Sequence, residues 1–422
     1  MELPQKSSSS MRPATGPTVT SSSTRSAYQY ERSMTSLLHS RIGSPRVQIV
    51  LWDGTAVGPA NDSVGRLVIR RPDVLWRVMI DSEIAFGESF TNGGLDIEGD
   101  LITVLTELNL GLARIPRTAG LSRLLQPFDL IRRRSRQTLA ESKASVYHHY
   151  DIGNEFYKLW LDQQLVYTCA YYTQPADSLD AAQTAKLDYI CRKLRLRPDD
   201  RVVEAGSGWG ALALHMAREY GVSVKAYNLS REQIAYAREQ AKAAGLSHRV
   251  EFIEDDYRCI TGQYDAFVSV GMLEHVGPLN YPAFGRLIRN VLTANGRGLI
   301  HSIGRNFAAP LDAWILRHIF PGACPPSLKQ LLDIFEDHGF SVIDVENLRL
   351  HYARTCQEWL RRVEQHAERI TGMFDARFLK MWRLYLAGSS AAFASGWLQL
   401  FQVVFAPATN NQLSLTRKDW YV

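Results

Sequence analysis

The sequence predicts an α/β protein built on a seven-stranded doubly wound sheet and preceded by a small α+β domain. Three observations lead there. After Val146, apolar runs of strand length alternate with helix-period segments, as in βαβ units. The first of those strands, Arg201–Ala205, runs into the turn Gly206-Ser207-Gly208-Trp209-Gly210 and then into a helical pattern from Ala211 to Tyr220. Between Val47 and Leu112 the pattern is instead one of short alternating apolar runs with a helix over Asp73–Ile80.

Taken in order, residues 1–46 are rich in Ser, Thr, Arg and Pro with little apolar periodicity, and a disordered tail is expected. Val47–Leu51 and Arg66–Ile69 read as strands of the N-terminal domain, 47–112. Residues 113–146 read as a basic amphipathic linker. Between Arg114 and Arg136, Arg114, Arg117, Arg123, Arg132, Arg133, Arg134 and Arg136 are set against a single acid, Asp129, and interleaved with Leu121, Leu124, Leu125, Phe128, Leu130 and Ile131. Such a segment attracts anionic lipid at about 1 kcal/mol per basic residue near the surface. A solvated helix face or a plain connector fits the same residues, and no recognised nucleic-acid motif accompanies them.

The α/β domain spans 147–406, with strands expected at Arg201–Ala205, Val222–Tyr227, Val250–Ile253, Ala266–Val270, Gly298–Ser302, Ser341–Leu348 and Leu398–Phe405. Residues 407–422 are left as a tail. The apolar-leaning stretch Leu386–Phe405 carries Ser389, Ser390, Ser395, Gln399 and Gln402, so it reads as a buried helix and a core strand rather than a membrane span.

A chain of 422 residues is long enough for two cores, and its net charge of +5 favours acidic partners such as phospholipid headgroups or nucleic acid without choosing between them. Cys169, Cys191, Cys259, Cys324 and Cys356 are scattered and odd in number, which speaks against a disulfide framework or a zinc site, and no metal is expected. The N-terminus lacks the apolar core of a secretory signal, so a cytoplasmic location is expected, with lipid reached from the inner membrane face.

The glycines of the first turn fall at every second position, unlike the dinucleotide fingerprint, and no Lys-Ser/Thr follows as in a phosphate loop. The loop suits a ligand that approaches main-chain atoms without needing a pyrophosphate cradle, such as an adenosyl cofactor; a tight turn without a ligand is the alternative. After the second strand come Asn228, Leu229, Ser230 and Gln233. Polar groups there can bind ribose hydroxyls, while Ser230 and Gln233 also have capping-box spacing. Asp256 and Tyr257 end the third strand, where an acid can accept from an adenine amino group and where a surface turn is equally at home.

Six separated motifs, in order, resemble the cyclopropane-fatty-acyl-phospholipid synthases and the related mycolic acid methyltransferases. They are His149-Tyr150-Asp151-Ile152-Gly153-Asn154, Tyr167-Thr168-Cys169-Ala170-Tyr171, the glycine loop, Gly271-Met272-Leu273-Glu274-His275-Val276-Gly277, His301-Ser302-Ile303-Gly304 and Gln399–Phe405. The resemblance runs from about Tyr147 to Phe405; Phe86–Phe90 and Gly94–Ile97 are more loosely similar to the N-terminal domain of the longer synthases. It implies a class I S-adenosylmethionine methyltransferase sheet. The cofactor would lie against Tyr167, Thr168, Glu204, Gly206, Gly208, Gly210, Asn228, Leu229, Ser230, Gln233, Asp256 and Tyr257. Asn228 stands where Thr is common, and Glu204-Ala205-Gly206-Ser207 replaces Asp-Ile/Val-Gly-Cys, with size and polarity kept.

The same resemblance implies a hydrogencarbonate site formed by Cys169, Glu274, His301, Ile303 and Tyr352, in which the Tyr352 surroundings match least. The implied reaction is transfer of a methylene group to the cis double bond of an unsaturated phospholipid acyl chain, giving a cyclopropane; a methyl-branched or methylene product is the alternative. The alkene is a weak nucleophile, so the sulfonium must be held in line with it in a dry pocket. An anionic membrane surface is the expected partner, a homodimer is allowed, and Cys169 is not needed as a nucleophile. Each of Cys169, His301 and Tyr352 taken alone also fits ordinary packing.

Overall fold

The structure, a computed structural model, describes residues 21–115 and 152–421. The basic linker beyond residue 115, the first twenty residues and His149-Tyr150-Asp151 lie outside the described residues. Of the linker arginines, Arg114 is described, and it pairs with the buried Glu107 at 3.2 Å.

The N-terminal domain is a four-stranded sheet of β1 (Gln48–Val50), β2 (Ala56–Val57), β3 (Arg66–Ile69) and β4 (Leu95–Glu98), in the order β2-β1-β3-β4. Helices Pro72–Ile80, Ser82–Thr91 and Leu101–Ala113 cover it. Asp81 and Asp100 cap the last two by accepting from the backbone N–H groups of Ile84 and Thr103. The expected disordered tail is corrected in part, because Ser21–Arg41 is a helix. Met34 and Leu38, one helical turn apart, are buried against the domain, and His39 Nε2 meets the Pro45 carbonyl at 3.1 Å. A two-residue apolar stripe was hidden by polar composition.

The large sheet holds all seven expected strands: β5 (Arg201–Ala205), β6 (Ser223–Asn228), β7 (Val250–Glu254), β8 (Tyr264–Val270), β9 (Leu292–Gly304), β10 (Phe340–Asn347) and β11 (Gln399–Pro407). Their order is β10-β11-β9-β8-β5-β6-β7. All neighbours are parallel except β11, which runs antiparallel to β9 and β10. From β5 the chain steps outward to β6 and β7, then returns to place β8 on the other side of β5. This reversal opens a crevice at the carboxyl ends of β5 and β8, the position where open α/β sheets bind ligands.

Leu386–Phe405 resolves into the end of helix Ala376–Ala394 and the fully buried β11. Among the described residues no helix is long and apolar enough to cross a membrane.

The two domains do not keep separate cores, contrary to expectation. One continuous apolar cluster joins Ile49, Leu67 and Leu95 to Trp314, Trp359 and Leu384. Helix Ala376–Ala394 packs on both Ser82–Thr91 and Leu101–Ala113. Polar contacts seal the seam: the Ala313 N–H donates to Glu83 at 2.9 Å and His318 Nε2 meets Glu88 at 2.8 Å.

Gly87 lies against Trp314 so closely that a Cβ there would sit 2.5 Å from the indole. Gly87→Leu is therefore expected to cost about 1–3 kcal/mol of stability through overpacking, measured by thermal unfolding. Gly372→Ala, in a helix where the new Cβ meets nothing within 4 Å, should be neutral or stabilising by up to about 1 kcal/mol.

Candidate active site

The turn after β5 is shaped by backbone conformations that side chains resist. Gly206, Gly208 and Gly210 have φ of +89°, +53° and +88°. The Gly206 and Ser207 N–H groups donate to the Tyr227 carbonyl on β6, and Trp209 Nε1 donates to Asn154 at 2.7 Å, tying the loop to the last residue of the first motif. A Cβ on Gly208 would meet no protein atom within 4 Å, and this residue lines a cavity. The backbone is thus open to a ligand on that side.

Across the same cavity runs the segment Tyr167-Thr168. Gln183 donates to the Val166 and Thr168 carbonyls at 3.2 and 2.8 Å, and Lys186 donates to Thr168 Oγ1 at 2.8 Å. Both come from helix Leu179–Leu194. Asn228 links the glycine loop to the next helix, donating to the Gly208 carbonyl and to Gln233 Oε1 at 3.2 and 2.8 Å. The cavity so formed is lined by the polar side chains of Asn228, Gln233, Asp256, Tyr257 and Glu204, with Leu229 between them.

A second cavity of ≈ 390 Å³ meets the first, and Tyr167, Thr168, Gly271 and His275 line both. Its far wall comes from the N-terminal domain: Leu67, Ile69, Leu95 and Leu105. Its near end carries Glu274, Ile303, Tyr352 and the aromatic rings of Phe320, Trp359 and Tyr385. A long apolar void that opens onto a polar one at a single constriction can bring an apolar chain to a polar reagent.

The polar groups at the constriction are unusually dry. The Glu274 carboxyl is pushed up to about 7, chiefly by burial. Its Oε1 accepts the Ile303 N–H at 2.6 Å, while Oε2 is buried without a protein partner among the described residues. His301 is 1% exposed, and burial with the charges of Lys186 and Lys193 holds its pKa well below the usual range, so it is neutral. Its Nδ1 meets Gln402 at 3.1 Å, and its Nε2 is buried without a partner among the described residues. Burial pushes His275 down to about 4, keeping it neutral as well. Burial raises the pKa of the Cys169 thiol, favouring its protonated form, and the thiol turns to the Ala170 carbonyl at 3.2 Å.

Ten of the twelve residues expected around the cofactor line the first cavity. Gly210 and Ser230 do not. A Cβ on Gly210 would strike Phe252 at 2.6 Å, which makes it a packing glycine, and Ser230 caps the helix Arg231–Ala243 through the Gln233 N–H at 3.4 Å. Of the five expected anion-site residues, Glu274, Ile303 and Tyr352 line the second cavity, whereas His301 and Cys169 are buried and are not among its lining residues. The Ile303 N–H already serves Glu274, so it is not free to hold an anion.

Sequence reasoning missed Lys186 as a site residue. Its signal was there, since Ala182, Lys186, Ile190 and Lys193 follow the buried stripe of helix Leu179–Leu194. Burial brings the Lys186 ammonium down to about 8 and the facing Glu204 carboxyl up to about 8. His275, at the meeting of both cavities, was also missed as a separate residue.

The glycine cradle at the strand-order reversal, with its polar wall and dry constriction, defines an S-adenosylmethionine-dependent methyltransferase of the doubly wound α/β class. Mycolic acid cyclopropane synthase CmaA1, solved with SAH and CTAB, shares this fold at a TM-score of 0.59 and 27% identity, covering 62% of this chain and 97% of that one. The chain belongs to the mycolic acid cyclopropane synthetase family, whose model matches residues 137–403. Similarity extends into the N-terminal domain. The cyclopropane-fatty-acyl-phospholipid synthase of Escherichia coli K12 is 35% identical over 356 residues, 83% of this chain and 90% of that protein. The probable fatty acid methyltransferase of Pseudomonas putida is 34% identical over 389 residues, 89% of this chain and 96% of that one.

Gly208→Val puts a branched side chain into the cofactor cavity and should weaken S-adenosylmethionine binding at least tenfold by calorimetry. A second expectation concerns pH. The folded protein keeps a proton on Glu274 that the unfolded chain releases above the ordinary carboxylate pKa, so this residue's contribution to stability falls as pH rises through about 7. Urea unfolding at pH 5 and pH 8 should show wild type losing up to about 3 kcal/mol relative to Glu274→Gln over that interval.

Proposed function

We propose that the enzyme transfers a methylene group from S-adenosylmethionine to the cis double bond of an unsaturated phospholipid acyl chain, leaving a cyclopropane. The observation that carries this reading is the meeting of a cofactor cavity and a long apolar cavity at Tyr167, Thr168, Gly271 and His275. The apolar wall supplied by the N-terminal domain suits an acyl chain rather than a compact substrate. S-adenosylmethionine supplies an electrophilic methyl group, and the constriction keeps water from the cation that forms when the alkene attacks. Phe320, Trp359 and Tyr385 line this cavity, and aromatic rings can stabilise such a positive charge through their π faces.

The anion pocket fits hydrogencarbonate. Glu274 Oε2 and His301 Nε2 are buried, polar and free of protein partners among the described residues, and Tyr352, held by stacking on Phe393 at 4.5 Å, faces the same end of the cavity. Hydrogencarbonate supplies, when bound, the base for the proton of the added methyl group. His301 would donate from Nε2 and Tyr352 from its hydroxyl to hold the anion, and Glu274, with a pKa near neutrality, is placed to receive a proton at Oε2. The neutral state of His301 and His275 keeps further positive charge away from the developing cation.

The test is incubation with dioleoyl phospholipid vesicles and S-adenosylmethionine, followed by fatty-acid analysis. A gain of one CH2 with loss of the alkene is expected, and a retained double bond would instead identify a methyl-branched or methylene product. Glu274→Gln and His301→Ala should each lower turnover by at least a hundredfold while leaving cofactor affinity within about threefold.

The lipid would be met at the inner membrane face, with the arginine-rich linker drawing the enzyme to anionic headgroups. Replacing Arg132, Arg133 and Arg134 together with Gln is expected to weaken co-sedimentation with anionic vesicles by up to about 3 kcal/mol, at roughly 1 kcal/mol per charge. Unchanged co-sedimentation would remove the linker from the reading.

A further inference from the structure

Behind His301 a row of polar side chains crosses three strands. In the registers of the sheet Glu346 on β10 lies opposite Gln402 on β11, and Gln402 lies opposite His301 on β9. Helix Leu179–Leu194 drops Lys193 onto this row. The Lys193 side chain is fully buried, and its Nζ donates to Gln402 Oε1 at 2.7 Å and to Glu346 Oε2 at 2.5 Å. Tyr189 also donates to Glu346 Oε2, at 2.9 Å.

The direction of this chain follows from its donor-only end. Lys193 faces two acceptors, so it must donate to both, and an ammonium has no lone pair to offer. Gln402 therefore turns its carbonyl oxygen to Lys193 and its amide NH2 to His301. The NH2 group can only donate, so His301 Nδ1 must accept at 3.1 Å and carries no proton. A neutral imidazole with a bare Nδ1 holds its proton on Nε2. That is the nitrogen buried without a partner among the described residues.

We propose that Lys193 and Gln402 are positioning residues that lock His301 in the Nε2–H tautomer, so that it is a hydrogen-bond donor to the anion of the active site. The role as anion donor rests on the function proposed above; the lock itself does not. Without it, a buried neutral histidine would be free to present a lone pair to the anion, which repels it. The lock costs the fold a buried lysine, offset by the Glu346 carboxylate and Gln402. It also explains why a glutamine occupies the centre of a strand whose nine residues are all buried.

The test is nitrogen NMR of the full-length enzyme labelled with 15N-histidine, without substrate, with the His301 signals assigned by their loss in His301→Gln. Protonated Nε2 and bare Nδ1 are expected in wild type; a protonated Nδ1 overturns the proposal whatever the variants do. In Gln402→Glu the side chain facing Nδ1 becomes an acceptor, and a proton should appear on Nδ1. An unchanged His301 spectrum in that variant overturns the proposal. Lys193→Met, which frees Gln402 to flip, should give a mixture of tautomers and serves if Gln402→Glu does not fold. The apparent hydrogencarbonate affinity should fall at least tenfold in Gln402→Glu and, in Lys193→Met, in proportion to the Nε2–H population that is lost, with S-adenosylmethionine affinity changed less than threefold in both. An Nε2–H signal in a wild-type enzyme whose rate is independent of hydrogencarbonate would support the lock and overturn only the anion reading.

Discussion

The reversal of strand order between β5 and β8 is the constraint on which the rest of the molecule depends. It leaves the carboxyl ends of two central parallel strands without a crossing connection above them, so the turns Gly206–Gly210 and Gly271–His275 face one another across a crevice. Both turns require positive φ at their first glycine, and a Cβ on either would strike a neighbour at 2.8 Å: Met272 for Gly206, and Thr168 for Gly271. Close approach of these backbones brings the cofactor wall, the Tyr167-Thr168 segment and the Glu274-His275 pair to one point.

Around that point the protein maintains dryness at an electrostatic cost. Glu274, Glu204, Lys186, Lys193, His301 and His275 all have protonation equilibria displaced toward their neutral forms by burial. Such groups persist only when each is hydrogen-bonded or used. Lys186 is bonded to Thr168 and Lys193 to Glu346 and Gln402, whereas Glu274, His301, Glu204 and His275 each keep one buried polar atom without a protein partner among the described residues. Sealing the chamber falls to the N-terminal domain and helix Ala376–Ala394, which close the apolar side. The domain seam therefore forms one wall of the apolar cavity and is not only a tether.

Much of this was legible in the sequence. β5 matches its expected bounds, Arg201–Ala205, because a continuous apolar run ends at a glycine turn, and the other six strands were found by the same logic. β9 begins at Leu292, six residues before the expected Gly298, since Asn295-Gly296-Arg297-Gly298 reads as a turn and joins the strand only by pairing with β8. The helix Ser21–Arg41 was invisible because its burial rests on Met34 and Leu38 within a polar stretch. The site motifs stood out because glycine turns and a Glu-His pair at strand ends are local signals. The N-terminal wall of the acyl cavity, Lys186 under Thr168, and the row Glu346-Gln402-His301 come from elements far apart in the chain, and no local pattern reports them.

The central claim is that a methyl group delivered at the constriction loses one of its hydrogens to a base held there. The most direct measurement uses S-adenosylmethionine carrying a trideuterated methyl group with an oleoyl phospholipid, reading the deuterium count of the product acyl chain by mass spectrometry. Two deuterons in a saturated, ring-containing chain are predicted. Three deuterons in the product would contradict the account, because the added methyl group would then have kept every hydrogen.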